Sequence, residues 1–141
     1  MLNAKPARRK YFILSSMWAL LLVVMAVQPE KMVKRVLPTS WERFMAHSVA
    51  YGIFAFLLCL YFRFRKSLFR YRMKEGFVFL FSFVLVFAWG GLTEYIQLYS
   101  RDRIADWLDV FYDVLGAAWG IFLFFLYKRT VRERPFPSKN L

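Results

Sequence analysis

"GGLTEYIQLYSRDRIADWLDVFYDVLGAAWG", residues Gly90–Gly120, is the stretch of sequence from which the fold can be worked out. It joins the end of one long apolar segment to the start of another, and it carries Glu94, Asp109 and Asp113 inside or beside those segments. A carboxylate within a lipid bilayer is costly unless it faces protein or water. The stretch therefore predicts helices that turn their acidic side chains toward one another.

Four apolar segments run along the chain, at about Tyr11–Val27, Phe44–Phe62, Phe77–Tyr99 and Trp107–Tyr127. The chain has 141 residues, 60% of them hydrophobic, which is more apolar surface than a soluble domain of this size can bury. Each segment is long enough to cross a bilayer as a helix, and backbone groups in lipid must bond within the segment. Short connections make successive helices antiparallel. The expected fold is an all-α, four-transmembrane-helix, up-down-up-down bundle.

The basic residues predict the orientation of this bundle. The N-terminal tail has four Lys or Arg, the loop between the second and third segments six, and the C-terminal tail five, whereas the other two loops have four and two. Cytoplasmic loops carry the excess of Lys and Arg, so 15 against 6 predicts that both termini are cytoplasmic. We expect residues 1–10 to form a basic cytoplasmic tail, residues 11–127 the multi-pass membrane domain, and residues 128–141 a basic, disordered cytoplasmic tail.

The sequence argues against a signal peptide, nucleic-acid binding and an intramolecular disulfide. Basic residues before an apolar run also describe a signal peptide, but the first run is long for one and no small-x-small cleavage site precedes Gln28-Pro29, so a true span is expected. The net charge of +12 does not predict nucleic-acid binding, because the bases lie between apolar segments. Cys59 is the only cysteine, which excludes an intramolecular disulfide.

Two local motifs concern the loop between the first and second segments. Thr39-Ser-Trp-Glu42 is typical of a capping box that starts the second span. The residues before Pro38 leave room for a short interfacial helix.

Polar residues on three spans are predicted to meet at the outer end of the bundle. Successive residues of a helix are about 100° apart, and at that spacing the polar residues of each span lie on one face of their helix. Facing each other, they would form a pocket that opens outward. The predicted pocket residues are His47, Tyr51, Glu94, Gln97, Arg101, Arg103, Asp109 and Asp113.

A purely structural interpretation of these residues is also open. Asp106 suits the start of a helix, and an Arg103–Asp106 pair could tie the outer loop to the fourth span. Gly116-x-x-x-Gly120 lets two helices approach closely, and Gly90-Gly91 is expected to allow close packing or a bend. The carboxylates could simply pair with Arg101, Arg103 or His47.

The segment "TEYIQLYSRDRIADWLDVFYDVLGAAWG" resembles the VanZ-like family of small bacterial membrane proteins, named for a protein associated with teicoplanin resistance. Glu94 and Gln97 match the family's Glu-x-x-Gln pair, Arg101 or Arg103 its loop arginine, and Asp109 its aspartate. Gly116-Ala117 and Gly120 match its glycine pattern, and His47 and Tyr51 its second span. Asp113 stands where the family has Asn. The resemblance implies a protein of the bacterial cell envelope and inner membrane, linked to reduced susceptibility to lipoglycopeptides, with no settled catalytic mechanism.

Three functions from different classes follow. The first is a non-enzymatic envelope protein whose pocket binds an amphiphile, such as a membrane lipid or a lipid-linked cell-wall precursor, without a cofactor. The second is a membrane subunit that binds another membrane protein through its polar stripe and glycines. The third is a metal-assisted membrane enzyme acting on a lipid-linked substrate, with His47, Glu94, Asp109 and Asp113 as ligands; one histidine and no HExxH spacing make a metal site the weakest hypothesis.

Overall fold

The structure, a computed structural model, describes residues 4–64, 75–99 and 106–132. These ranges contain five helices and no strand: α1 (Ala4–Ala26), α2 (Glu30–Val36), α3 (Ser40–Phe64), α4 (Glu75–Gln97) and α5 (Trp107–Arg132). α1, α3, α4 and α5 are long and apolar enough to cross a membrane. They coincide with the four predicted spans, so the predicted all-α, four-span bundle is confirmed.

Ring contacts between helices show the direction of each span. Phe12, early in α1, packs 5.6 Å from Tyr61, late in α3, so these two helices are antiparallel. Phe44 and Tyr112 lie 5.0 Å apart near the starts of α3 and α5, so these two run in the same direction. α4 is antiparallel to both α3 and α5, as seen in the pairs Phe62–Phe81 and Phe79–Phe124. The helices therefore alternate up and down.

The outer surface of the bundle is apolar. In each candidate span, at most 33% of the residues of the most apolar window are buried inside the bundle. Large apolar side chains such as Met17, Leu20 and Leu80 are more than 60% exposed. Such a surface is suited to lipid rather than water as the surrounding solvent.

The most extensive helix contact joins α3 and α5, which are not consecutive spans. A Cβ added at Gly116 would collide with the Ser48 carbonyl oxygen, and one added at Gly120 with the Gly52 carbonyl oxygen. Only glycine allows the two backbones to approach this closely. The glycines thus bring α3 and α5 together at the depth of the predicted polar residues.

The loop before α3 contains both predicted local features. α2 is the short helix, and the residues that follow it form the capping box. Glu42 Oε2 accepts hydrogen bonds from the Thr39 amide at 2.9 Å and from the Thr39 hydroxyl at 2.8 Å, while the Glu42 amide donates to Thr39 Oγ1 at 3.2 Å. The box fixes the start of α3.

We expect Thr39→Ala to destabilise the protein by about 0.5–1 kcal/mol, because the Glu42 amide loses its acceptor at the exposed start of α3. Thr39→Ser keeps the hydroxyl and serves as the matched control. Thermal unfolding in detergent measures both. Equal destabilisation by the two substitutions would contradict a capping role.

At its C-terminal end, α5 extends further than the sequence suggested. The basic tail was predicted to begin at residue 128, whereas α5 continues to Arg132, so residues 128–132 belong to the helix. The Arg129 guanidinium lies 4.6 Å from the centre of the Phe125 ring one turn earlier, and cations at a helix C-terminus are favourable. Residues 133–141 and the basic loop at 65–74 lie outside the described residues.

Candidate functional site

Buried polar side chains cluster at the end of the bundle where α4 ends and α5 begins, which we call the α4–α5 end. Glu94, Gln97, Asp109 and Asp113 are each at most 5% exposed. His47 on α3 interacts electrostatically with all three of the carboxylates in this set. Three spans therefore contribute titratable side chains to one buried cluster.

His47 joins α3 to α5. Its Nδ1 lies 2.8 Å from Asp113 Oδ1 in a hydrogen bond, and its Nε2 lies 3.7 Å from Asp109 Oδ2. Asp113 and Asp109 are one turn apart on α5, so both present their carboxylates to the same imidazole. Because Asp113 engages Nδ1, the ring orientation is fixed and Nε2 points away from Asp113.

Glu94 joins α4 to the start of α5. Its Oε1 accepts a hydrogen bond from Gln97 Nε2 at 2.7 Å, and its Oε2 accepts one from the Asp106 amide at 3.0 Å. Asp106 in turn caps α5, with its Oδ1 accepting from the Leu108 amide at 2.9 Å. The capping role predicted for Asp106 is confirmed. Glu94 therefore satisfies one amide of an otherwise open helix terminus.

Tyr51 extends the polar cluster one turn along α3. Its ring stacks on that of His47 with an angle of 6° between the planes, and its hydroxyl lies 2.6 Å from Thr93 Oγ1. Thr93 also donates to the Gly90 carbonyl oxygen at 2.8 Å. The sequence did not single out Thr93, since a lone threonine near Glu94 is an ordinary residue for a membrane helix.

A cavity of about 270 Å³ opens beside this cluster, and we call it the α2 cavity. Its walls are mostly apolar and come from the end of α1 and from α2. His47, Tyr51, Thr93 and Gln97 supply its polar side, and Arg43 also lines it. The main apolar residues are Leu22, Met25, Ala26, Met32, Val33 and Val36.

A second space, which we call the α1–α4 groove, lies further along the same helices and has a volume of about 520 Å³. α1, α3 and α4 all line it. The lining residues include Phe12, Ser16 and Ala19 on α1, and Phe54, Leu58, Tyr61 and Phe62 on α3. Phe81, Leu85 and Trp89 complete it on α4. Its lining contains no charged residue.

Comparison with known proteins decides the family. A family model described as VanZ/LLP1 matches residues 6–128 of the 141. The chain belongs to the VanZ/LLP1 family. The match covers the first three spans and most of the fourth, and it confirms the resemblance carried by residues 93–120. No curated protein and no solved structure matches this sequence.

The predicted pocket residues of this VanZ/LLP1 protein divide into two groups. His47, Tyr51 and Gln97 line the α2 cavity, whereas Glu94, Asp109 and Asp113 are not part of its lining and lie in the cluster behind it. Arg101 and Arg103 lie outside the described residues. Arg43 and the apolar wall from α1 and α2 were not predicted as pocket residues.

The four predicted packing glycines also differ from one another. Gly116 and Gly120 face α3, and a Cβ at Gly90 would lie 2.8 Å from Asp113 Oδ2, so Gly90 makes room for that carboxylate. A Cβ at Gly91 would meet nothing within 4 Å. Gly52, which the sequence analysis did not single out, completes the α3–α5 contact; the Ser48-x-x-x-Gly52 spacing on α3 is the signal that could have found it.

The metal hypothesis gains no support from the geometry. Among residues 4–64, 75–99 and 106–132, no group of three or more His, Cys, Asp or Glu side chains is arranged to hold a metal ion. His47, Glu94, Asp109 and Asp113 instead hydrogen-bond or pair within the protein.

Proposed function

We propose that this VanZ/LLP1 membrane protein binds an amphiphile in the α2 cavity and acts in the cell envelope without catalysing a reaction. One observation carries the proposal: an apolar cavity adjoins a wall of fixed polar groups at a single end of the bundle. Binding sites for small molecules commonly combine apolar walls with a few oriented polar groups. A lipid head group would meet His47 and Gln97, while its chain would contact α1 and α2.

The site faces outward in this proposal. The tails and the loop between α3 and α4 carry 15 of the 21 Lys and Arg residues, and the loops at the α4–α5 end carry six. The excess of bases marks the cytoplasmic side. An outward cavity would have access to lipids and lipid-linked cell-wall precursors of the outer leaflet. We also propose that its occupancy lowers susceptibility to teicoplanin, as the family resemblance implies.

Substitution of Ala46 tests the proposal. Ala46 lines the α2 cavity and is only partly buried, so Ala46→Trp is expected to fill the cavity without breaking the His47–Asp113 pair. Native mass spectrometry from gentle detergent is expected to show a bound lipid on the unmodified protein, and at least about tenfold less on Ala46→Trp, a difference of about 1.4 kcal/mol. Ala118→Trp, on the exposed surface of α5, is the matched control and is expected to retain the lipid.

The same variants test the envelope role. Expression of the unmodified protein or Ala118→Trp in a susceptible bacterium is expected to raise the teicoplanin concentration that stops growth, and Ala46→Trp is expected not to. A folded, unmodified protein that carries no lipid would contradict the binding proposal. Equal protection by Ala46→Trp would separate the envelope role from the cavity.

A further inference from the structure

The α2 cavity and the α1–α4 groove lie along one seam between the same three helices. On α3, the cavity lining ends at Tyr51 and the groove lining starts at Phe54; on α4, Thr93 lines the cavity and Trp89 the groove. These steps of three and four residues are about one helical turn. On α1 the two linings overlap, since Leu22 lines the cavity and Val23 the groove. The two spaces therefore follow one another with about one turn of side chains between them.

The combined length of the seam exceeds one leaflet. Phe81 and Gln97 on α4 are 16 positions apart, which corresponds to about 24 Å at ~1.5 Å per residue. Arg43 and Phe62 on α3 are 19 positions apart, which corresponds to about 28 Å. Half of the hydrocarbon core of a bilayer is about 15 Å thick. A chain that filled both spaces would have to pass the middle of the membrane, which the acyl chains of an ordinary phospholipid do not need to do.

Basic residues belong to the part of the chain that forms one wall of the α2 cavity, α2 and the start of α3. Arg43 lines the cavity, and no hydrogen bond or ion pair of its guanidinium occurs among the described residues. α2 contributes its apolar residues to the cavity and also carries Lys31, Lys34 and Arg35, of which Lys34 pairs with Glu30 at 2.6 Å. Residues 30–43, which form α2 and the start of α3, carry four bases against Glu30 and Glu42, a net charge of +2 for this segment. Such a charge is complementary to a phosphate.

We infer that the occupant is a phosphate lipid with one long apolar chain of the polyprenyl kind. Its phosphate lies at Arg43 and its chain runs through the α2 cavity into the α1–α4 groove. The groove contributes binding free energy because the chain packs closely against apolar side chains there, more closely than against the lipid tails of the bilayer. This inference rests on the proposed function, because it names the class of amphiphile that the same cavity binds.

Chain length is the variable that tests it. Purified protein in detergent is titrated with undecaprenyl phosphate, with farnesyl phosphate, which has the same head group and a short chain, and with phosphatidylglycerol. We expect undecaprenyl phosphate to bind about tenfold or more tightly than either of the others. Arg43→Gln is expected to weaken both prenyl phosphates by about tenfold, because both lose the same charge-assisted contact.

Substitutions that fill the α1–α4 groove test the site of the long chain separately from the site of the phosphate. Ser16→Trp adds bulk to the groove from an exposed position on α1, and Ala19→Phe does so from a position nearer the core. Both are expected to remove the preference for the long chain and to leave farnesyl phosphate binding unchanged. Ala118→Trp controls for a bulky surface substitution.

Each outcome is decisive. Equal affinity for long and short prenyl phosphates, or a long-chain preference that survives both groove substitutions, overturns the inference while the α2 cavity remains a lipid site. Tighter binding of phosphatidylglycerol assigns the cavity to an ordinary phospholipid and also overturns it. Failure of the folded protein to bind any of the three overturns the inference and the proposed function together.

Discussion

Gly120→Leu is expected to prevent the bundle from assembling, and Gly120→Ala to destabilise it by about 1–3 kcal/mol, the usual cost of overpacking a tight contact. The new Cβ would collide with the Gly52 carbonyl oxygen, and backbone atoms of α3 cannot rotate aside as a side chain can. α3 and α5 would have to separate. Because their contact is the most extensive in the protein, the loss is not confined to one residue.

Gly91→Ala is the matched control for this prediction. It is also a helical glycine in a membrane span, but a Cβ there would meet nothing within 4 Å. It is expected to leave stability unchanged or to raise it by up to about 1 kcal/mol, since alanine is the better helix former. Thermal unfolding of all three variants in one detergent makes the comparison. Similar losses in Gly91→Ala and Gly120→Ala would show that the α3–α5 approach is not the cause.

Asp113→Leu is expected to destabilise the protein by about 3–5 kcal/mol, the cost of removing one partner of a buried pair. Asp113 is 1% exposed, and its Oδ1 is the hydrogen-bond partner of His47 Nδ1 at 2.8 Å. Leucine branches at Cγ as aspartate does, but it is larger and accepts no hydrogen bond, so the imidazole would remain buried without its partner. The ring that lines the α2 cavity would lose its fixed orientation, and lipid retention should fall with stability.

Asp113→Asn is the informative control, because it keeps an oxygen for His47. The second oxygen, Oδ2, is buried beside Gly90 and has no hydrogen-bond partner among the described residues. An amide at this position is less costly to bury than a charge. We expect stability within about 1 kcal/mol of the unmodified protein and retention of lipid. Unfolding of Asp113→Asn to the same extent as Asp113→Leu would mean that the charge itself, rather than the hydrogen bond, holds α3 and α5 together.

The four spans could be predicted from the sequence because their signal is local. Clusters of Lys and Arg separate the apolar segments from one another. A single segment in lipid must form a helix, because only a helix satisfies the hydrogen bonds of its own backbone. The ends of the helices could be predicted less accurately. The fourth span was expected to end at Tyr127, but α5 extends to Arg132 into a segment whose basic charge suggested a tail. Helical spacing also predicted that the polar residues of α3, α4 and α5 would meet, and the described members of that set do share one buried cluster.

The cavity itself could not be derived from the same patterns. Its apolar wall consists of residues such as Met25 and Val33, and in a membrane protein these look the same whether they face lipid or a ligand. The close backbone contact between α3 and α5 was not predicted, because it depends on Gly52 meeting Gly120 across a long sequence separation. The position of Glu94, Asp109 and Asp113 behind the cavity could not be predicted either, since it involves partners such as the Asp106 backbone amide, which donates to Glu94.

The sequence separation of 66 residues between His47 and Asp113 has a consequence for the newly made chain. Translation is directional, so α3 is complete before any residue of α5 exists, and at about 5–20 residues per second the interval is about 3–13 s. During that time the histidine has no aspartate to meet. α5 therefore completes the polar interior for the spans that are made before it.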